Sequence, residues 1–182
     1  EKVKENIYGL GVNSRHFIRP IEQYIGDTKE QINLHGGPEP ISDFSAEAAK
    51  KCMSNLGLKP ENITSLIVAS ENSDYQSPGM ASIVVTKAGL SNFIPHYNIQ
   101  GMACSTLPKV LELGKNLIKN ENDKVLVIIS GCNSGWYLPH LRDGELIQSP
   151  GEIKKDDPNR EKQLKKWVST MFSFLFGDGV TA

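Results

Sequence analysis

Two apolar runs constrain the fold more than any other feature, residues 63–70 (ITSLIVAS) and 124–130 (KVLVIIS). Both are short, rich in β-branched residues and nearly unbroken by polar ones. That pattern suits strands covered on both faces, as in a parallel sheet with helices packed above and below. The segments around them are helical by spacing. Ala48, Ala49, Cys52, Met53 and Leu56 share one face of a predicted helix, while Lys50, Lys51 and Asn55 face water. Ser45 is the expected N-cap, with Glu47 favouring the dipole, and Gly57 is the stop, with Pro60 in the turn. After a polar loop at 71–77, Pro78 is expected to start a helix running towards Gly89. Residues 96–100 read as another strand and 105–120 as the next helix. This β-α-β-α-β order predicts an α/β layered domain.

The remaining segments are less regular. Residues 7–18, with Gly9 and Gly11, read as a strand with bends, and 24–43 as a loop. An excursion from the core is expected over 137–167, where charges, glycine and proline gather. Its mixed signs (Glu152, Lys154, Lys155, Asp156, Asp157, Arg160) favour a solvated loop and helix start over a docking surface for an acidic partner. An apolar stretch, 168–182, closes the chain.

A length of 182 residues suits one domain, so a single domain over 1–182 is the expectation. With a net charge of −1, nothing points to nucleic acid or an anionic membrane surface. The apolar runs are too short to span a bilayer, and the N-terminal Lys2 and Lys4 precede no secretory h-region. The three cysteines lack metal-ligand spacing, which suits free thiols in a reducing cytoplasm.

The sharpest chemical feature is Gly101-Met102-Ala103-Cys104-Ser105-Thr106, between a predicted strand and a predicted helix. A cysteine at that junction sits near the positive end of the helix dipole, which favours the thiolate nucleophile. Backbone N–H groups of the same loop, at Ala103 and Ser105, can stabilise an oxyanion. A small cysteine filling core space fits the same residue. Cys132, in Gly131-Cys132-Asn133-Ser134-Gly135, is the rival nucleophile at a strand end. No helical pattern follows it at once, so it is expected to be a loop or lining residue. Cys52 is expected in the core. Of the four histidines, His16, His35, His96 and His140, each is expected to be solvated or structurally hydrogen-bonded.

Five stretches taken in order carry a resemblance. They are 11–17 (GVNSRHF), 58–70 (LKPENITSLIVAS), 76–90 (QSPGMASIVVTKAGL), the IQGMACST around Cys104, and the final FGDGVTA. Together they resemble the N-terminal half of thiolase-fold condensing enzymes: ketoacyl synthase III, type III polyketide synthases and plant-type long-chain ketoacyl synthases. The resemblance implies a thiolase-like layered α-β-α-β-α fold, of which this chain would be the N-terminal half, starting after the family's first strand. Cys104 would take an acyl group from an acyl-CoA or acyl-carrier-protein thioester and pass it to a second, often malonyl, unit. No cofactor is implied. A His with an Asn or second His would come from the second half, so these residues alone should not turn over. Gly177, Asp178 and Gly179 would make a tight backbone approach beside the nucleophile's layer, with Asp178 bonding the turn; one Asp makes no metal site. Homodimerisation is implied, with Ser77 and Pro78 at a position that faces the partner subunit or the pocket.

Departures from the pattern also count. Ser77 stands where relatives often carry a bulky apolar residue. Pro108 falls four residues after Cys104, which is tolerable only if the helix starts at Ser105 or later. Lys109 is unusual for a helix central in such a fold. Near Glu5 and Gly9 there is no counterpart of the Trp and Arg that clamp the CoA adenine in some relatives. Three functions stay open: a decarboxylating condensing enzyme, an acyltransferase acting on a hydroxyl or amine, and a non-catalytic partner subunit.

Overall fold

The computed structural model describes residues 2–18, 20–25, 41–141 and 147–182. The chain divides into two compact units, Glu1–Gly37 with Cys132–Asp178, and Pro38–Gly131 with Gly179–Ala182.

The second unit holds the sheet. Its strands β1 (Ser65–Ser70), β2 (His96–Ile99), β3 (Val125–Cys132) and β4 (Asp178–Thr181) lie in the order β2-β1-β3-β4. β1 runs parallel to both neighbours, with Leu66 opposite His96 and Leu126, and all six of its residues are buried. A strand with a neighbour on each edge and helices on its faces has no wet side, which is why its sequence does not alternate.

Helix α3 (Ile41–Asn55) packs on α4 (Met80–Lys87), and α4 on β1 and β2. Helix α5 (Thr106–Leu117) covers a sheet face, where buried Val110 packs with Ile67, Ala69 and the half-buried Val125, Val127 and Ile129. Its buried Gly114 faces the same side chains: a Cβ there would meet Val127 at 3.6 Å, an ordinary packing distance. Leu66, Val68, Leu126 and Ile128, alternating with the first set, are buried on the opposite face.

Several boundaries differ from those expected. α3 starts at Ile41, not at Ser45, which is buried one turn inside the helix. The capping acceptor is distant in sequence: the Asp74 carboxylate receives the amides of Ile41 at 2.6 Å and Ser42 at 3.1 Å. Gly57 does end the helix in a left-handed conformation, φ +64°, with Leu58 N–H returning to Met53 O at 2.9 Å. Pro78 precedes α4, whose N-cap is Gly79. α5 begins at Thr106, so Pro108 is its third residue, where a backbone N–H would have no helical partner anyway. Lys109 is exposed and pairs with Glu112 at 3.3 Å.

In the first unit the expected strand over 7–18 is absent. Lys2–Gly9 forms helix α1, which buries no residue, and 11–18 has neither helix nor strand. Local i to i+3 closures, such as Leu10 N–H to Ile7 O, outweigh the β-branched content there. Helix α2 spans Glu22–Ile25; most of the loop expected over 24–43 lies outside the described residues. Helix α6 (Ser134–Tyr137) follows β3, and helix α7 (Arg160–Leu175) begins inside the span expected as an excursion, part of which is also outside the described residues. Tyr137 stacks on Phe172 of α7 at 5.0 Å between ring centroids.

Candidate active site

The chain leaves β2 through Gly101, whose φ of +75° suits glycine. Ala103–Ser105 then forms one 3-10 turn, and Thr106 opens α5. Cys104 is the middle residue of that turn and is exposed to solvent. Ser105 stands at the N-cap of α5, yet its hydroxyl donates backwards to Met102 O at 2.6 Å and caps none of the helix amides. Cys104 is therefore held just ahead of a helix start that its N-cap side chain does not cover.

The turn is tense and clamped. Ala103 has φ +46°, the left-handed region, which costs a non-glycine residue about 1–2 kcal/mol. Its N–H donates to the Glu71 carboxylate at 2.6 Å, and its carbonyl accepts from the Thr106 hydroxyl at 2.6 Å. The Ser105 amide donates to Met102 O at 3.1 Å. Both amides expected to line an oxyanion site, Ala103 and Ser105, thus have acceptors inside the protein.

Beside this turn lies a cavity of about 440 Å³ at the C-terminal ends of β1 and β3. Ala103, Thr106, Glu71, Ser130, Gly131 and Thr181 are among its lining residues, and Cys104 is not. Its size is that of a small-ligand site, and strand ends are where α/β folds collect ligands. Ser130 is almost fully buried, and its hydroxyl has no hydrogen-bond partner among the described residues. Sequence reading missed both Glu71 and Ser130. The available signal was a charge placed immediately after an unbroken buried strand.

Cys132 differs from Cys104 in its exposure to solvent. It is fully buried, and burial pushes its thiol from the ordinary 9.0 up to about 11, with the Asp178 carboxylate adding to the effect. A helix does follow it at once, contrary to expectation, with Asn133 as the N-cap of α6. Desolvation outweighs any benefit from four helical residues, so this sulfur stays protonated. Cys52 is half-buried, not core, and lines a second cavity of about 490 Å³ with Met53 and Ile63.

Asp178 organises the first unit. Its carboxylate accepts the Ser134 amide at 2.9 Å, the Ser134 hydroxyl, and the Ile18 amide at 3.0 Å; its own amide donates to His16 O at 2.7 Å. A Cβ on Gly177 would meet His16 O at 2.7 Å, whereas Gly179 has open space and lacks the tight approach expected of it. Ser77 and Pro78 are both exposed. His96 bonds Ile94 O at 3.0 Å and Ser82 at 3.3 Å, and the His16 side chain is exposed. His35 and the His140 side chain lie outside what is described. Among the described residues, no helix is long and apolar enough to cross a membrane.

Comparison with known proteins adds to this geometry. Residues 21–143 match the family model described as FAE1/type III polyketide synthase-like protein. Beta-ketoacyl-[acyl-carrier-protein] synthase III 2 of Bacteroides thetaiotaomicron is 29% identical over 120 residues, which is 66% of this chain and 30% of that protein. The synthase III of Clostridium perfringens is 36% identical over 119 residues, covering 63% of this chain and 35% of its own length. The chain therefore spans about a third of the curated relatives it matches. Among solved structures, a fungal type III polyketide synthase superposes with a TM-score of 0.67 at 18% identity, over 98% of this chain and 44% of the other. A 3-oxoacyl-(acyl-carrier protein) synthase of Burkholderia xenovorans gives 0.62 at 22% identity, over 98% and 39%.

Proposed function

Because the chain belongs to the FAE1/type III polyketide synthase-like family and has a thiolase-like α/β fold, we propose that Cys104 captures an acyl group from a thioester in a condensing reaction. The carrying observation is the exposed Cys104 on a clamped turn at the start of α5, beside a cavity at the sheet's strand ends. The thiolate attacks the thioester carbonyl, a tetrahedral oxyanion forms, and its collapse expels the thiol of CoA or of a carrier protein. The product is an acyl–sulfur bond on Cys104. A malonyl-type unit then loses carbon dioxide, and the resulting carbanion attacks the acyl carbonyl to form a carbon–carbon bond and release Cys104. The groups that manage this second step would come from residues outside this chain.

The identity of the synthase III relatives supports CoA or carrier-protein thioesters as substrates. Three free cysteines support a reducing compartment, which we take as the cytoplasm, and family membership supports a homodimer. Incubation with a labelled acyl thioester, followed by peptide mass mapping, tests the first step. Acyl mass on the Cys104 peptide, lost in Cys104→Ala, is expected; no acyl mass would remove the proposal.

One observation favours a second reading, acyl transfer to a hydroxyl or amine. Glu71 sets a carboxylate in the cavity, where it would repel the carboxylate of a malonyl unit and accept a bond from a neutral donor. Release of carbon dioxide from a malonyl thioester would count against it.

A further inference from the structure

The turn that bears Cys104 is fixed from outside itself. Glu71 follows the six buried residues of β1, and its backbone is held on both sides. Ser70 is buried and its hydroxyl donates to Asn72 O; Asn72 is buried as well; and Asp74 is engaged at the start of α3. From this anchored base the Glu71 side chain reaches Ala103 and accepts its amide at 2.6 Å. Ala103 is the one non-glycine residue of positive φ among the described residues, and it directly precedes Cys104.

We infer that Glu71 is a positioning residue for Cys104: its carboxylate oxygen holds Ala103 in the left-handed conformation and so aims the thiol. The inference rests on the acyl-capture reading of Cys104. A left-handed alanine relaxes readily once its amide loses its acceptor, because extended and right-handed backbone are both lower in energy. Relaxation at Ala103 would rotate the next residue, and small misplacements of a reacting atom slow chemistry out of proportion to any change in stability. Glu71 is itself exposed, so its value to the fold is small and its value to the turn can be read separately.

Three substitutions separate reach from charge. Glu71→Gln keeps an oxygen at the same reach and removes the charge; Glu71→Asp keeps the charge and shortens the reach; Glu71→Ala removes both. Acyl loading of Cys104 is followed by mass in each, with the melting temperature as the measure of folding. Loading is expected to fall about 10–100-fold in Glu71→Ala and Glu71→Asp and to stay within about threefold in Glu71→Gln, with melting nearly unchanged. Equal loading in Glu71→Ala and the unaltered chain would overturn the inference, as would Glu71→Gln loading as slowly as Glu71→Ala. If the unaltered chain takes no acyl group, acyl capture fails, and alkylation of Cys104 by iodoacetamide in the same four proteins still reads the clamp. The same rank order then supports it, and equal rates sink it.

Discussion

The carboxylate of Asp74 caps Ile41, accepting its amide at 2.6 Å from 33 residues along the chain. With the Ser42 amide at 3.1 Å, the loop after β1 supplies a capping side chain for the first two amides of α3. Asp74→Ala should lower stability by about 0.5–2 kcal/mol, the range for losing a capping side chain. Asp74→Asn, which keeps one acceptor, should lose less. Urea titration followed by far-UV circular dichroism checks the ranking, and equal midpoints for all three proteins would contradict it.

Part of this architecture was legible in the sequence. Runs such as SLIVAS declare a buried central strand because no face is left for polar residues, and Gly57 declares a helix end because only glycine takes φ +64° without cost. The Cys104 turn was legible as a strand-to-helix junction. The start of α3 was not, because its cap comes from Asp74, and Ser45 offered a plausible local one. Glu71 was hidden for the same reason: its partner Ala103 is 32 residues away, and no local pattern links them. Helix α1 was not legible because it buries no residue fully, so its sequence carries little of the periodic apolar face by which a helix is recognised.

Gly177 and Gly179 flank Asp178 but should respond in opposite ways. A Cβ on Gly177 would sit 2.7 Å from His16 O and 3.1 Å from His16 N, both backbone atoms that cannot swing aside. Gly177→Ala should therefore cost about 1–3 kcal/mol through forced displacement. Gly179→Ala meets nothing within 4 Å and should stay within about 0.5 kcal/mol of the unaltered chain. Thermal melts of the two variants test the contrast.

Asp178→Ala should be more damaging than either, since it strands the Ser134 amide and hydroxyl and the Ile18 amide together. Leaving each donor unsatisfied costs about 1–3 kcal/mol, so a loss of several kcal/mol is expected. Asp178→Asn retains one carbonyl acceptor and should fall between. A proteolysis rate for Asp178→Ala equal to that of the unaltered chain would show that water replaces these bonds without loss.

Cys132 makes the stability of the chain depend on alkaline pH. Its thiol is pushed from 9.0 up to about 11 by burial and by the Asp178 carboxylate, so the folded state holds the proton more tightly than the unfolded one. The stabilisation is fully present below pH 9, where both states keep the proton. It is lost as pH rises from about 9 to about 11, because the unfolded thiol ionises first. The loss amounts to about 2–3 kcal/mol for a shift of this size. Cys132→Ser would add buried polarity, so Cys132→Ala is the cleaner comparison. Denaturant midpoints at pH 8 and pH 10.5 should converge between Cys132→Ala and the unaltered chain as pH rises. Cys104, being exposed, should react with iodoacetamide long before the buried Cys132, and mass mapping at pH 8 should find the adduct on the Cys104 peptide with Cys132 unlabelled until the protein unfolds.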